Sequence, residues 1–404
     1  MHVLIVGGGA AGIAAAIAAA KRGHRVTVLE RGRKVLKKLG VTGNGRGNLL
    51  NCGPGQYFGD AGFAAQVLEQ MPYERIAAFL EEAGIPLVHE AEGRMYPSSY
   101  LAASAVDALK WQAEQLGVET VVNTRAVRIE KGFRVHALRT VYAPDITLKS
   151  GRVKPGEAIG EENVCFDCDR VIVTVGGAAA PMHGTDGSAY DLLTDFGHSM
   201  VPVHPALSAL LTDKKAVEGL SGQRVRAKLT LCDPQGRQLH ESEGEALFAE
   251  DGVSGIAAMQ LSRFAHDGCV LHMDLRTAIT GKPDADVLAW LKRRAESRDQ
   301  RTLFLGAASP ALASVLMRRS GGSVEKLAQL IEDFAVPVTG VRGFDSAQVT
   351  AGGVKPAEFD PSTMQSRLVP GLYAAGEVLD VDGACGGFNL MFAFASGLLA
   401  GSIE

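Results

Sequence analysis

Three glycines and one carboxylate near the start of the chain carry the first chemical signal. Gly7, Gly9 and Gly12 follow the β-type run Val3-Leu4-Ile5-Val6 at the spacing Gly-x-Gly-x-x-Gly, and Glu30 closes the next β-type run. Gly7 allows a tight turn, Gly9 lets a pyrophosphate approach the backbone, and Gly12 lets the following helix pack closely on the strand. Ala10 and Ala11 fall in the first turn of that helix, where free N–H groups and the helix dipole favour an anion. Glu30 can accept hydrogen bonds from the ribose diol of an adenosine, and its charge repels a 2′-phosphate. A glycine triplet alone says little. With a strand before it, a helix after it and the acid in place, it predicts a dinucleotide site.

Arg31, Arg33, Lys34, Lys37, Lys38 and Arg46 then form a run without an acid. Such charge is useful beside a diphosphate, and Arg31 and Lys34 are assigned to it; a solvated basic face is the alternative. The run ends in Thr42-Gly43-Asn44-Gly45-Arg46-Gly47-Asn48. Glycines alternating with polar residues let such a loop lie flat on a planar ligand and present backbone N–H groups. Two further glycine sites lie downstream. Val171 to Val175 runs into Gly176-Gly177, and Leu372-Tyr373-Ala374-Ala375 into Gly376-Glu377, followed by Gly386, Gly387, Phe388 and Asn389.

These residues need elements to hold them. The first thirty residues read as strand (2–6), turn (7–12), helix (about 10–22) and strand (25–29), one βαβ unit. Helical spacing runs from Glu69 up to the Ile85-Pro86 break, and a second helix is predicted from Ala102 to Leu116. Short β runs follow from Val118 to Val175, with a polar interruption around 144–163. Residues 200–275 alternate as strands, 284–333 switch to helical spacing, and the chain returns to β near 348. An apolar helix is predicted from Asn389 to about Ala400.

The chain has 404 residues, 46% hydrophobic and 21% charged, with mean hydropathy +0.08. That supports large buried cores and excludes a disordered chain or a small disulfide scaffold. The net charge of −4 offers no global field for nucleic acid or an anionic membrane, so neither is expected as a partner. The apolar first twenty residues lack a basic leader and contain Gly7-Gly8-Gly9, which fits a strand and turn better than a signal peptide or a membrane helix. Six scattered cysteines read as reduced thiols in the cytoplasm. Cys165-x-x-Cys168 lies in a β run, where an offset of three points the thiols to opposite faces. His183, His198 and His204 follow no metal spacing, and no metal is expected.

The stretch Arg33-Lys34-Val35-Leu36-Lys37-Lys38-Leu39-Gly40, running on to Asn48, resembles the signature of the BaiN-like NAD(P)/FAD-dependent oxidoreductases, which include aminoacetone-oxidase-like enzymes. The likeness continues at Gly93 to Ser98, Val173 to Gly177, Gly184 to Gly187, Thr350 to Val354, Thr363 to Ser366 and Gly371 to Gly383, nearly the whole chain. Gly47 stands where the family usually has cysteine, and Val175 where related flavoproteins often have threonine.

The resemblance implies an α/β protein with a Rossmann-like FAD-binding domain split between 1–195 and 345–404. The inserted β-rich, barrel-like domain, 196–344, carries a helical excursion at 281–336. FAD is the implied cofactor, with its chain near Gly376 and Glu377 and its ring near Gly386, Gly387, Phe388 and the helix that follows. That helix N-terminus would stabilise negative charge at the flavin's N1/C2 edge on reduction. Only one complete fingerprint exists, so NAD(P)H would visit as a transient electron donor. Substrate, a small molecule, would enter between the inserted lobe and the flavin. Cys385, Arg46 and Tyr96 are the residues expected nearest the chemistry. The implied reaction is hydride transfer through flavin N5, reducing an activated C=C in a small organic compound. An amine oxidase passing electrons from an aminoacetone-like amine to oxygen, a non-catalytic flavin-binding scaffold, and a flavin-free NAD-dependent dehydrogenase are the alternatives.

Overall fold

The computed structural model describes residues 1–147 and 153–404. The described chain divides into two compact units, Met1–Val203 with Val349–Glu404, and His204–Gln348.

The first unit is built on a five-stranded parallel sheet. Its centre is β1 (His2–Val6), flanked by β2 (Arg25–Leu29) and then Glu119–Val121 on one side, and by Arg170–Val173 and then Leu372–Ala374 on the other. Val3, Leu4 and Ile5 have no exposed surface, because a parallel strand covered on both faces needs an unbroken apolar run. Helix α1 (Ala10–Lys21) connects β1 to β2.

Small residues set how α1 packs. A Cβ on Gly12 would collide with the Gly7 carbonyl oxygen, so only glycine lets the helix rise directly over the turn. On the C-terminal helix, Phe388–Gly401, side chains at Gly397 and Gly401 would run into the carbonyl oxygens of Ala11 and Ala15. Residues four apart on one helix thus meet residues four apart on the other, and the two backbones cross in contact. Ser396 Oγ also accepts from the Gly376 N–H at 3.0 Å. The two ends of the chain are packed into one core.

Two sequence readings are corrected here. The helical stretch beginning at Glu69 is split into Ala61–Gln70 and Tyr73–Glu82, since Pro72 lacks an N–H and starts the second helix as its N-cap. The polar region around 144–163 does not stay irregular: Ala158–Asp167 is a ten-residue strand. It forms the edge of a three-stranded antiparallel sheet with Arg134–Tyr142 and Thr124–Ile129, and a largely exposed edge strand tolerates such polarity.

The second unit holds a seven-stranded antiparallel sheet. Its order is Phe334–Pro337, Val270–Asp274, Arg224–Cys232, Gln238–Phe248, Gly252–Ser254, Leu210–Leu211 and Gly340–Val341. Burial alternates along Arg224–Cys232, so one face packs on a core. The two outermost strands are separated in the chain only by Val338 and Thr339, so one run of backbone borders both ends of the sheet. Helices Val287–Ala295, Pro310–Ser320 and Val324–Glu332 add Leu291, Leu316 and Ile331 to this core. Each helix is N-capped by a side chain, from Asp286, Ser309 and Ser323 respectively. No helix among the described residues is long and apolar enough to cross a membrane.

Candidate functional site

Parallel strands deliver their C-terminal loops to one edge of the sheet, and the glycine motifs lie in those loops. After β1, Gly7 turns with φ +109° and donates to the Leu29 carbonyl at 2.8 Å. Gly9 caps α1, and no side chain bonds the helix's first N–H groups. A Cβ added at Gly9 would meet nothing within 4 Å. Ala10, Ala11 and Gly12 therefore begin an uncapped helix beneath open space, the arrangement a pyrophosphate needs.

Glu30 follows β2. Its Oε2 accepts from Gly8 N at 2.9 Å and its Oε1 from Gly32 N at 2.6 Å, which aims the carboxylate along the edge of the same turn. Burial raises its carboxyl above the usual range, against the pull of those two N–H groups.

The basic run does not form a free field. Arg31 grips Asp186 with both terminal nitrogens, at 2.6 and 2.9 Å, and that guanidinium holds the Asp186 carboxyl well below the usual carboxylate range. Arg33 stacks on Tyr142, 3.6 Å from the ring centre, and bonds the Gly156 carbonyl. Lys37 reaches the Met182 carbonyl at 2.6 Å, while Lys34 is exposed.

Lys38 closes a chain of contacts across the site. Its Nζ lies 2.8 Å from Glu377 Oε2, and Glu377 Oε1 accepts from Thr350 N at 2.8 Å. Thr350 Oγ1 accepts from Ala178 N and Ala179 N at 2.8 and 3.0 Å. A Cβ on Gly177 would strike Thr350, and one on Gly176 (φ +75°) would press on Thr185. Both Glu377 oxygens are thus held by the chain itself, and Gly376 (φ +79°) lies against Ala11. Lys38 and Thr350 were not assigned roles from sequence. The basic run and the Thr350 segment contain them, but nothing local shows that they share a partner.

The loop after Leu39 is shaped by left-handed backbone: Gly43, Asn44, Gly45 and Gly47 all have positive φ. It delivers Asn48, whose Oδ1 is buried without a hydrogen-bond partner beside Gly387. Gly387 caps the helix Phe388–Gly401, again with no side-chain cap. Asn51 Nδ2 donates to the Gly386 carbonyl at 2.8 Å, and Asn389 spans its own turn through both amide atoms to Gly383. Phe388 meets Tyr57 edge-on, and the Tyr57 hydroxyl donates to the Phe388 carbonyl.

Of the three residues expected nearest the chemistry, two come together. Arg46 stacks over Tyr96 and Tyr100, 4.6 and 4.7 Å from the ring centres, and pairs with Glu90 at 2.7 Å. Tyr96 is buried. Cys385 is half-buried beside Gly386, and burial raises its thiol, so it is held as a thiol rather than a nucleophilic thiolate. Tyr100 completes the cluster and carried no motif in the sequence.

Two uncapped helix N-termini, the open space at Gly9 and the orphaned Asn48 oxygen are features a bound dinucleotide would satisfy. FAD fits these residues. The family model described as "HI0933-like protein Rossmann domain" matches residues 1–403. The chain is 33% identical to a 3-dehydro-bile acid delta(4,6)-reductase of Clostridium scindens, covering 98% of this chain and 97% of that protein. It is 26% identical to a ribosomal RNA dihydrouridine synthase of Escherichia coli, covering 97% and 95%. Among solved structures it resembles the open conformation of a flavocytochrome c3 fumarate reductase, with TM-score 0.50 and 15% identity over 99% of this chain and 77% of that one. The fold, the open dinucleotide cradle and the match along nearly its full length place the chain in the HI0933-like Rossmann domain family, as an FAD-dependent oxidoreductase.

Proposed function

We propose that the protein reduces an activated carbon–carbon double bond of a small organic substrate, with NAD(P)H as a transient electron donor. The observation that carries this reading is the single open dinucleotide cradle at Gly9 together with the second uncapped helix at Gly387. Among the described residues one dinucleotide cradle is built, and no second one stands ready for a nicotinamide. The name of the Clostridium scindens relative, a reductase of this bond type, supports it.

Bound FAD supplies hydride transfer through its N5 position. The first turn of α1 holds the phosphates and Glu30 the adenosine ribose. Gly43, Asn44, Gly45, Gly386, Gly387, Phe388 and Asn389 are assigned to the ring end, where the free N–H groups of the terminal helix favour negative charge. The Tyr96 hydroxyl holds the proton delivered to the neighbouring carbon, and Arg46 fixes the ring by stacking. Arg31 acts through Asp186, tying the cofactor loops together.

Anaerobic mixing with NADH and with NADPH tests the donor: flavin absorbance should bleach with at least one and return on adding an enone, which gains two hydrogens. No bleaching by either removes the reductase reading. Hydrogen peroxide formed from an aminoacetone-like amine without nicotinamide would establish the oxidase instead.

A second reading places the double bond in a uracil base of RNA. It is favoured by the segment 287–320, which holds Lys292, Arg293, Arg294, Arg298, Arg301, Arg318 and Arg319 against only Glu296 and Asp299. Lys292, Arg293, Arg298 and Arg301 are exposed, and such cations neutralise phosphates. The Escherichia coli relative's name points the same way. Salt-dependent binding of ribosomal RNA, lost when these four are replaced, would favour it over the small-molecule substrate.

A further inference from the structure

Cys165 is the one exposed thiol among the described residues; Cys269 is buried, and Cys52, Cys168, Cys232 and Cys385 are half-buried. Burial pushes the Cys168 thiol up to about 12 and also raises those of Cys232 and Cys385. These three are therefore poor nucleophiles.

Cys165 also differs in its neighbours. It stands opposite His136 in the register of strands Ala158–Asp167 and Arg134–Tyr142, and its Sγ lies 3.3 Å from His136 Nδ1. The other ring nitrogen, Nε2, lies 3.1 Å from Glu130 Oε1, within ion-pair distance, and makes no hydrogen bond among the described residues. The negative charge of Glu130 beside Nε2 favours the tautomer with its proton there. The lone pair on Nδ1 then faces the thiol. Thiol, base and orienting acid stand in the order that activates a nucleophile, on the exposed edge of a sheet. Arg128 pairs with Glu130, and Arg134 pairs with Asp167 two residues along each strand, so both flanking charges are already matched. Cys52 has an imidazole too, but at 3.7 Å from His89 Nδ1.

We propose that Cys165 is a modification site, a thiol activated by His136 and Glu130 for reaction with hydrogen peroxide. The thiol proton passes to His136 Nδ1 while the sulfur attacks one peroxide oxygen. The O–O bond breaks, and the leaving hydroxide takes the proton back from the imidazole and departs as water. Sulfur is oxidised to the sulfenic acid and the peroxide is reduced. Cys168 donates its thiol to the Phe133 carbonyl instead of facing this site, so the sulfenic acid remains open to an external thiol, which would form a mixed disulfide and release water.

The test treats the full-length protein with hydrogen peroxide in the presence of a dimedone probe, and measures labelling of each cysteine peptide by mass spectrometry. Cys165 should label about tenfold or more faster than Cys232. His136→Gln should remove most of that advantage, and added free imidazole should restore part of it, which a loss of local structure would not allow. Glu130→Gln should give an intermediate rate. Equal labelling of Cys165 and Cys232 in the unsubstituted protein overturns the proposal, as does an unchanged rate in His136→Gln. If that variant fails to fold, the ratio in the unsubstituted protein decides alone.

Discussion

Lys38 Nζ and Glu377 Oε2 lie 2.8 Å apart, although 339 residues separate them in the chain. The pair joins the basic loop after β2 to the strand end at Gly376, and through Thr350 it reaches the backbone after Gly177. Four segments of the cofactor cradle therefore share one charge pair.

Lys38→Met should lower stability by about 1 to 2 kcal/mol, because it leaves a mostly buried carboxylate without its cation. Both side chains keep roughly a quarter of their surface, which puts the cost below that of a fully buried pair. Glu377→Gln keeps an acceptor for Thr350 N and should cost less. Denaturant titrations of both variants check the order, and a larger loss for Glu377→Gln would contradict the geometry.

Gly9→Val and Gly12→Val should fail differently. Nothing of the chain lies within 4 Å of a Cβ at Gly9, so Gly9→Val should fold with a near-normal melting temperature as apoprotein, yet bind no FAD. At Gly12 the added carbon meets the Gly7 carbonyl, so Gly12→Val should destabilise the apoprotein itself. Thermal melts and flavin occupancy separate the two. Full occupancy in Gly9→Val would mean that the open space is not where the pyrophosphate lies.

How much of this was legible in the sequence follows from the range of each interaction. The βαβ unit was, because Val3 to Val6, Gly7, Gly9, Gly12 and Glu30 encode strand, turn, helix and acid within thirty residues. The terminal helix was, since its apolar run is local. The Ala158–Asp167 strand was not, because an exposed edge strand lacks the apolar signal that marks a buried one. Nor were the partners of the basic run: Arg31 with Asp186 and Lys38 with Glu377 are choices made by the folded chain, and spacing carries no record of them.

Gly401→Val should cost at least about 2 kcal/mol, as its side chain would be driven into the Ala15 carbonyl where α1 crosses the terminal helix. The loss should appear in the apoprotein itself. A stability within error of the parent would show that the helices can separate without penalty, and the close crossing would then not be what joins the chain ends.

His198 makes acid stability predictable in sign. Its side chain has no exposed surface, Nδ1 lies 2.9 Å from Glu358 Oε2, Nε2 lies 2.9 Å from Ser366 Oγ, and the ring stacks on Phe359. Burial lowers its pKa below the ordinary 6.5, with Glu358 pulling the other way. The unfolded chain therefore takes up a proton that the folded chain resists as the pH falls through about 6.5, so stability present above that value is lost below it. Glu358 acts in a lower window. Burial raises its carboxyl, the bonds from Ser199 and His198 outweigh that, and the net lowering means its contribution is lost only as the pH falls through the carboxylate range. Denaturant midpoints between about pH 7 and pH 5.5 should fall for the parent protein, whereas His198→Gln should start lower and change less over that range. A parallel slope in both proteins would assign the acid sensitivity to other groups.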